Sequence, residues 1–506
     1  MKIKRRYWLW MAVFLNLSYG CSVFASEYYW LLVPVPDIPG TPHYGSAAEA
    51  CEAIAYSLLD GTALKEYYFS GEFERVSEGN YKCLSYVRVT YVDTGYTYVV
   101  GPAYYVNKNA SLIGDRCQQG KGLNTRAGKC DLPIGKPESN SCAGNPMDIG
   151  TGNKFQAEVD HATLTGSGLE FKRTYNGVDG VWRHTYSSYT RKTLTHLTVV
   201  GSVGEEYGFT LDSSIATPEA TVLGRAYRQG LNWIFVAQNN DTFIYDSTDQ
   251  LIHVSHADGR NEQLSYSQGV VTVTNDAGKS FTFTQDEMHQ PLTLTAPGLS
   301  VQYQYNPARI LTQVSATRGS QTETRVYHYE DPRDPKLLTG ITDEKGVRFA
   351  TWSYDDQGRA ISSEHANGAE RTQVIYNEDG TSTVTNSLGK KTVYHFTDVG
   401  GFRKVSAIEG EPSANCPASN STFTYNDRGQ VLTQTDAKGF ITTYTYNDRG
   451  LETTRTQASG TPQARSKTTT WHATFNLPLT VTEGGQVTTY TYDTQGRQTS
   501  RTQTAL

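Results

Sequence analysis

Charge is scarce in this 506-residue chain, with Asp, Glu, Lys and Arg together making up only 19% of it. At a mean hydropathy of −0.52, its polarity must come from Thr, Ser, Gln, Asn and Gly, a composition that suits strands and turns. No block of like charge follows the first six residues and the formal charge is −6, so the basic face that nucleic acid needs is missing. There is no Cys-x-x-Cys pair, which argues against a zinc site. A Ser nucleophile elbow, His-Glu-x-x-His, a P-loop and a dinucleotide fingerprint are also absent. Neither an enzyme nor a cofactor is expected.

The one long apolar stretch is at the start. Lys2, Lys4, Arg5 and Arg6 precede the apolar run Trp8–Leu17, and Val23-Phe-Ala25 supplies small residues before Ser26, the layout of a secretory signal over residues 1–25. The run is too short to span a bilayer. Cys21, after Leu17-Ser-Tyr-Gly20, resembles a lipoprotein cleavage box with its leucine one place too far away. Loss of the four cations would take the formal charge from −6 to −10. Export predicts a periplasmic, cell-surface or extracellular protein in a disulfide-permissive compartment. Of the six cysteines outside the leader, Cys51–Cys83 is the favoured first pair and Cys117–Cys130 would close a short loop. Cys142 and Cys416 remain, to pair with each other or stay free.

What the chain has in excess is a phrase. Tyr354-Asp-Asp-Gln-Gly358, Tyr376-Asn-Glu-Asp-Gly380, Tyr425-Asn-Asp-Arg-Gly429, Tyr446-Asn-Asp-Arg-Gly450 and Tyr492-Asp-Thr-Gln-Gly496 recur at a period near 21 residues. Phe396, Trp471 and the earlier Tyr245, Tyr266, Tyr305 and Tyr329 mark degenerate copies. Such a period means a repeat architecture. Thr422-Phe-Thr-Tyr425, Thr443-Tyr-Thr-Tyr446 and Thr489-Tyr-Thr-Tyr492 alternate as strands. Asp355, Asn377, Asn426, Asn447 and Asp493 are placed to bond their own backbone and open a turn. Gly358, Gly380, Gly429, Gly450 and Gly496 take the left-handed position that closes it. A unit of two short strands needs its neighbours to bury a face.

This phrase resembles the YD repeat of RHS proteins, whose tyrosine-rich strand spirals form hollow shells. A second stretch, Gly144-Asn-Pro-Met-Asp-Ile-Gly-Thr-Gly-Asn-Lys-Phe-Gln156 with Leu169–Asn176 and Trp182–Tyr186, resembles the domain of unknown function that precedes such repeats, with Gly150 where Ala is more usual. Trp471-His-Ala-Thr-Phe-Asn-Leu-Pro478 resembles a degenerate form of the family's repeat. The resemblance implies a non-enzymatic shell that encloses or delivers a C-terminal toxin or effector, and the leader makes it an exported one. The Asp-Pro-x-Gly-Leu cleavage motif is missing; Asp331-Pro and Asp334-Pro lack the Gly-Leu. The repeats run to Leu506 without a cap, so a C-terminal RHS core or effector, as a domain or a separate chain, is the expected partner.

The expected fold is mainly β, in five parts. Residues 1–25 are the signal. Residues 26–110 form a small α+β head, with a capping box at Ser46 and Glu49 and a helical stripe from Ala47 to Leu59. Residues 111–142 are a polar, Cys-containing linker, 143–240 a β-rich domain and 241–506 the repeats. Tyr227–Phe235 reads as one strand. A hydrolase would draw on Glu158, Asp160, His161 and His184. The two carboxylates alternate with apolar residues, however, and are expected on the solvated face of a strand. Carbohydrate binding at a cell surface, with repeat tyrosines stacked on sugar rings, is the alternative function, and it requires those tyrosines to face outward.

Overall fold

The computed structural model describes the backbones of six strands between residues 29 and 113. It then describes residues 117–506, except 118–120, 125, 127–128, 137, 139, 163–167, 194, 213–214 and 411–419. The signal, the capping box, Cys51, the Cys83 side chain and Cys416 lie outside the described residues. The head strands form one antiparallel sheet in the spatial order Tyr29–Leu32, Asn109–Ile113, Asn80–Tyr91, Ala63–Ser77, Tyr56–Asp60, with Thr97–Ala103 also against Asn80–Tyr91. Tyr56–Asp60 was expected in the helix; it is a strand instead, in register with Ala63–Tyr67. A neighbouring ladder there overrides the 3.6-residue pattern. Among the described residues the only helical element is a short 3₁₀ turn at Ala366–Gly368.

From Tyr189 to Ala505, thirty strands pair in sequence order, each antiparallel to the next. The ribbon runs through residue 240 without a break, and what lies apart from it is the preceding segment, 141–188. Tyr227–Phe235 is two strands, Arg225–Gln229 and Asn232–Val236, because Gly230 turns the chain at φ +61°.

The turns explain the repeat. In each, the Asx N–H donates to the carbonyl four residues on, and the Gly N–H donates back to the Asx carbonyl. Asp355 Oδ1 accepts from the N–H groups of Gln357 and Arg359. Asn426, Asn447 and Asp493 do the same. At Asn377 the task moves to Asp379, which accepts from Thr381 N. The five glycines sit at φ +75° to +82°. In the degenerate copy, His472 Nδ1 replaces the Asx oxygen, accepting from Thr474 N and Phe475 N at 3.1 Å.

Because strands alternate in direction, all these turns fall on one rim of the ribbon. The ribbon also winds back on itself. Arg428 donates to the carbonyls of Ala220 and Val222. Asn240 and Asn476 exchange hydrogen bonds, and Asn476 also reaches Gln238 O. The repeat-turn rim of the later strands thus sits on the opposite rim of the earlier ones, as successive turns of a spiral do.

Candidate functional site

The residues singled out for chemistry lie in the segment around which the ribbon curls. Three strands, Phe155–Ala162, Glu170–Asn176 and Val181–His184, form a small sheet. Its side chains merge with the inner face of the ribbon in one core: Phe171, Tyr175 and Trp182 are fully buried and share it with Phe281, Tyr303, Tyr327, Trp352 and Tyr354. Tyr175 donates to Lys336 O and accepts from Leu338 N. Trp182 Nε1 reaches Tyr329 and Trp352 Nε1 reaches Asn145 O.

The Asn-Pro and Thr-Gly-Asn-Lys residues build this docking. Asp148 Oδ1 accepts from Gly150 N and Thr151 N. Gly152, at φ +80°, lies so close to Arg359 that an added Cβ would stand 2.3 Å from its Cβ, and its carbonyl accepts from Ala360 N. Lys154 is buried, with Nζ on Asn145 O, Phe155 O and Gln156 Oε1 and 4.1 Å from the centre of the Trp352 ring. Burial pushes its ammonium well below the usual lysine range.

Glu158 and Asp160 are not on a solvated face. Glu158 is 7% exposed while Val159 beside it is 57% exposed, the reverse of the expected polarity. The carboxylates turn inward because cations wait there. Asp160 takes Arg173 through two hydrogen bonds, 2.5 and 2.9 Å, and a third from Tyr303 at 2.7 Å. Glu158 accepts from Gln156 and pairs with Arg325. A buried carboxylate whose oxygens already accept from a guanidinium and a neighbouring donor has little lone-pair capacity left for proton transfer.

His184 is fully buried, stacked on Phe171, with Nε2 on Gln285 and Nδ1 accepting from Tyr186 N. Burial pushes its pKa down to about 3, so it is neutral at any ordinary pH. His161, on the same sheet, lies edge-on to Phe281 at 5.8 Å, and burial lowers its pKa too. The contacts of the four run to different partners: Glu158 to Gln156 and Arg325, Asp160 to Arg173 and Tyr303, His161 to Phe281, and His184 to Phe171, Tyr186 and Gln285. Among the described residues no three His, Cys, Asp or Glu side chains are grouped to hold a metal, and no helix there is long and apolar enough to cross a membrane.

The repeat tyrosines are used structurally. Tyr354, Tyr376, Tyr425, Tyr446 and Tyr492 donate their hydroxyls to the carbonyls of Leu338, Ala360, Val405, Val431 and Pro478, at 2.6–2.8 Å. Tyr266 and Tyr305 do the same to Leu251 and Pro291, and Trp471 Nε1 does so to Glu452. The phenols clip their strands to the preceding one, Tyr354 to the loop that leads into it, and burial pushes the Tyr425 and Tyr446 hydroxyls up to about 12. The rings belong to the inner side: Tyr354 is core and Tyr446 lines a cavity of about 740 Å³ with Tyr207, Phe402 and Trp471. The other face carries hydroxyl pairs such as Thr424–Thr433 and Thr470–Thr480. Sequence reasoning missed the clip, whose signal was an aromatic recurring one place before each Asx.

The linker straps this assembly. Cys117 and Cys130 are joined in a disulfide. Leu123 N bonds Glu206, and Arg126 reaches the carbonyls of Asp179, Ala308 and Arg309. Cys142 is free and exposed.

Residues 425–462 match the RHS Repeat family. No curated protein matches the chain. Among solved structures, it is similar to TcdB2-TccC3 without its hypervariable C-terminal region, at 9% identity and TM-score 0.37 over 86% of this chain and 27% of that one. For TcdB2-TccC3-Cdc42 the values are 11%, 0.29, 71% and 20%. For a Photorhabdus luminescens Tc holotoxin pore carrying a TccC3 mutation they are 12%, 0.27, 85% and 24%. This chain spans between 20% and 27% of the length of those chains.

Proposed function

We propose, from the premise that this is an RHS/YD-repeat chain, that it is an exported, non-enzymatic structural protein: the wall of a shell that a C-terminal RHS core or effector completes and occupies. The observation that carries this reading is the thirty-strand ribbon wound back onto its own rim with its tyrosines inward. A wall built of serial hairpins can be lengthened without changing its cross-section. The leader supports export, to the periplasm, cell surface or medium.

The same geometry weakens the two rivals. A glycan needs exposed aromatic faces, whereas the repeat hydroxyls are engaged by backbone and the rings lie inward. A hydrolase needs a free acid and base, whereas Asp160 is bonded by Arg173 and Tyr303, and His184 lies neutral in the core.

Electron microscopy of the purified full-length chain tests the shell. A curved wall around an open interior is the expected result, and a solid compact particle would sink the reading. So would a chain that circular dichroism shows to be largely unfolded.

A further inference from the structure

We propose that the cavity lined by Glu205 and four aromatic rings on the inner face of the ribbon is a binding site for a small organic cation, a primary amine carrying an apolar body. The site lies wholly within the first winding of the ribbon, and it exists whether or not the wall closes into a shell.

The cavity holds about 480 Å³, a volume suited to a small molecule. Its walls come from two hairpins, His196–Val200 with Glu206–Asp212 and Asn232–Val236 with Thr242–Tyr245. Tyr207 and Phe235 lie 4.8 Å apart, centre to centre, and Phe243 follows Phe235 at 6.1 Å. Tyr245 adds a fourth ring, its hydroxyl bonded to Ser188 at 2.6 Å. Two carboxylates, Glu205 and Asp241, line the same space, and no Lys, Arg or His does. Such a chamber repels anions, and its ring faces attract a cation.

The two carboxylates differ in what they already hold. Asp241 accepts from Ala257 N and Asn239 Nδ2 and faces the His256 ring at 3.6 Å. Hydrogen bonds to Asp241 and Glu262 raise that imidazole to about 9, so it carries the balancing charge at neutral pH. Glu205 accepts only from Val203 N at 3.1 Å and, more weakly, from the Tyr207 hydroxyl at 3.4 Å. The cations around it are taken, Arg183 by Asp179 and Arg191 by Glu206. Burial pushes the Glu205 carboxyl up, as enclosure without a counter-charge must. A bound ammonium would supply that charge and a donor at once.

The surroundings are fitted to this carboxylate. A Cβ on Gly201 would stand 2.3 Å from it, so only glycine there leaves it room. A larger cavity of about 740 Å³ adjoins across Glu205, Tyr207 and Gln238. Of the cations lining that one, Lys404 is bound to Glu138, Arg428 reaches the Ala220 carbonyl and Lys121 stands exposed. A metal ion would lack ligands, since among the described residues no three His, Cys, Asp or Glu side chains are grouped to hold one and aromatic rings supply none.

Isothermal titration calorimetry of the full-length chain with 2-phenylethylamine at neutral pH should show saturable binding at one amine per chain. 2-Phenylethanol has the same shape without the charge, and it should bind about tenfold or more weakly, the loss expected for one charge-assisted hydrogen bond. Glu205→Gln should bring the amine down to the affinity of the alcohol and leave the alcohol unchanged. Gly201→Ala keeps the charge but displaces the carboxylate, and should also weaken the amine. No binding of the amine, equal binding of amine and alcohol, or amine binding that neither substitution weakens would each overturn the proposal. The comparison of amine with alcohol is made on the unaltered chain, so it decides even if a variant fails to fold.

Discussion

A tyrosine in this chain does two jobs: its ring covers inner apolar surface, and its hydroxyl satisfies a carbonyl of the neighbouring strand. Both can be separated by Tyr→Phe. At Tyr354, 5% exposed, the change leaves Leu338 O without its donor in the core, and the expected cost is about 1–2 kcal/mol. At half-buried Tyr492, water can replace the phenol on Pro478 O, and the cost should be smaller; guanidinium denaturation of the two variants would compare them. His184 makes a second prediction at this scale. Its folded pKa is about 3 against 6.5 for the ordinary group. Between those values the unfolded chain binds a proton that the folded chain does not, so its contribution to stability falls as pH drops from about 6.5 toward 3. His184→Gln should flatten the melting-temperature profile in that window, and an unchanged slope would show that the ring is not buried neutral. The Asx and Gly roles were legible from residue type alone, because φ > 0 and a side-chain acceptor suit few residues. The environment of Glu158 was not. Alternating polarity says that two faces differ, and it cannot say that the polar one meets guanidinium groups, because Arg325 comes from 167 residues away.

Elements in the ribbon are interchangeable, whereas the inner sheet is fitted. This contrast is visible in two glycines with nearly the same backbone. Gly389, at φ +77°, has open space around its missing Cβ, while Gly152, at φ +80°, faces Arg359 at 2.3 Å. Alanine at position 389 should cost about 1 kcal/mol, from the left-handed conformation alone. At position 152 the same strain adds to a backbone clash, and the cost should exceed that at 389 by about 2 kcal/mol. Equal shifts in denaturation midpoint would mean that the Thr-Gly-Asn-Lys turn does not dock on the repeat turn. The order of strands could be followed along the chain because each pairs with its sequence neighbour, the simplest topology available. The head segment Tyr56–Asp60 shows the opposite case, where apolar spacing pointed to a helix and pairing with Ala63–Tyr67 decided for a strand. That the segment before Tyr189 enters the ribbon's concave side was likewise invisible, since its tyrosines and Trp182 would read the same on an outer layer.

The whole molecule is held by two unlike means. Up to Val384 the ribbon shares a continuous core with the inner sheet. Beyond it, burial thins: in the strands from Ser421 to Ala505 most residues are half-buried or exposed, and Leu451, at 5% exposure in the turn after Tyr446, lies outside that core. These later strands keep their ladder, their tyrosine clips and the seam in which Arg428, Asn476 and Leu223 join one spiral turn to the next. Repeat arrays open from their weakly supported end, so removing the seam should release the later strands without unfolding the earlier ones. Arg428→Ala combined with Asn476→Ala deletes the side-chain hydrogen bonds to Ala220, Val222 and Gln238 and leaves the strands themselves unchanged. Hydrogen exchange followed by mass spectrometry should then show faster exchange over 421–505, by tenfold or more if about 1.4 kcal/mol of local stability is lost. Peptides from 189–300 and 340–385 should keep their protection, because the inner sheet holds them. Uniformly faster exchange would make the ribbon one cooperative unit, and no change would place the stability of the second turn in the strands and clips alone.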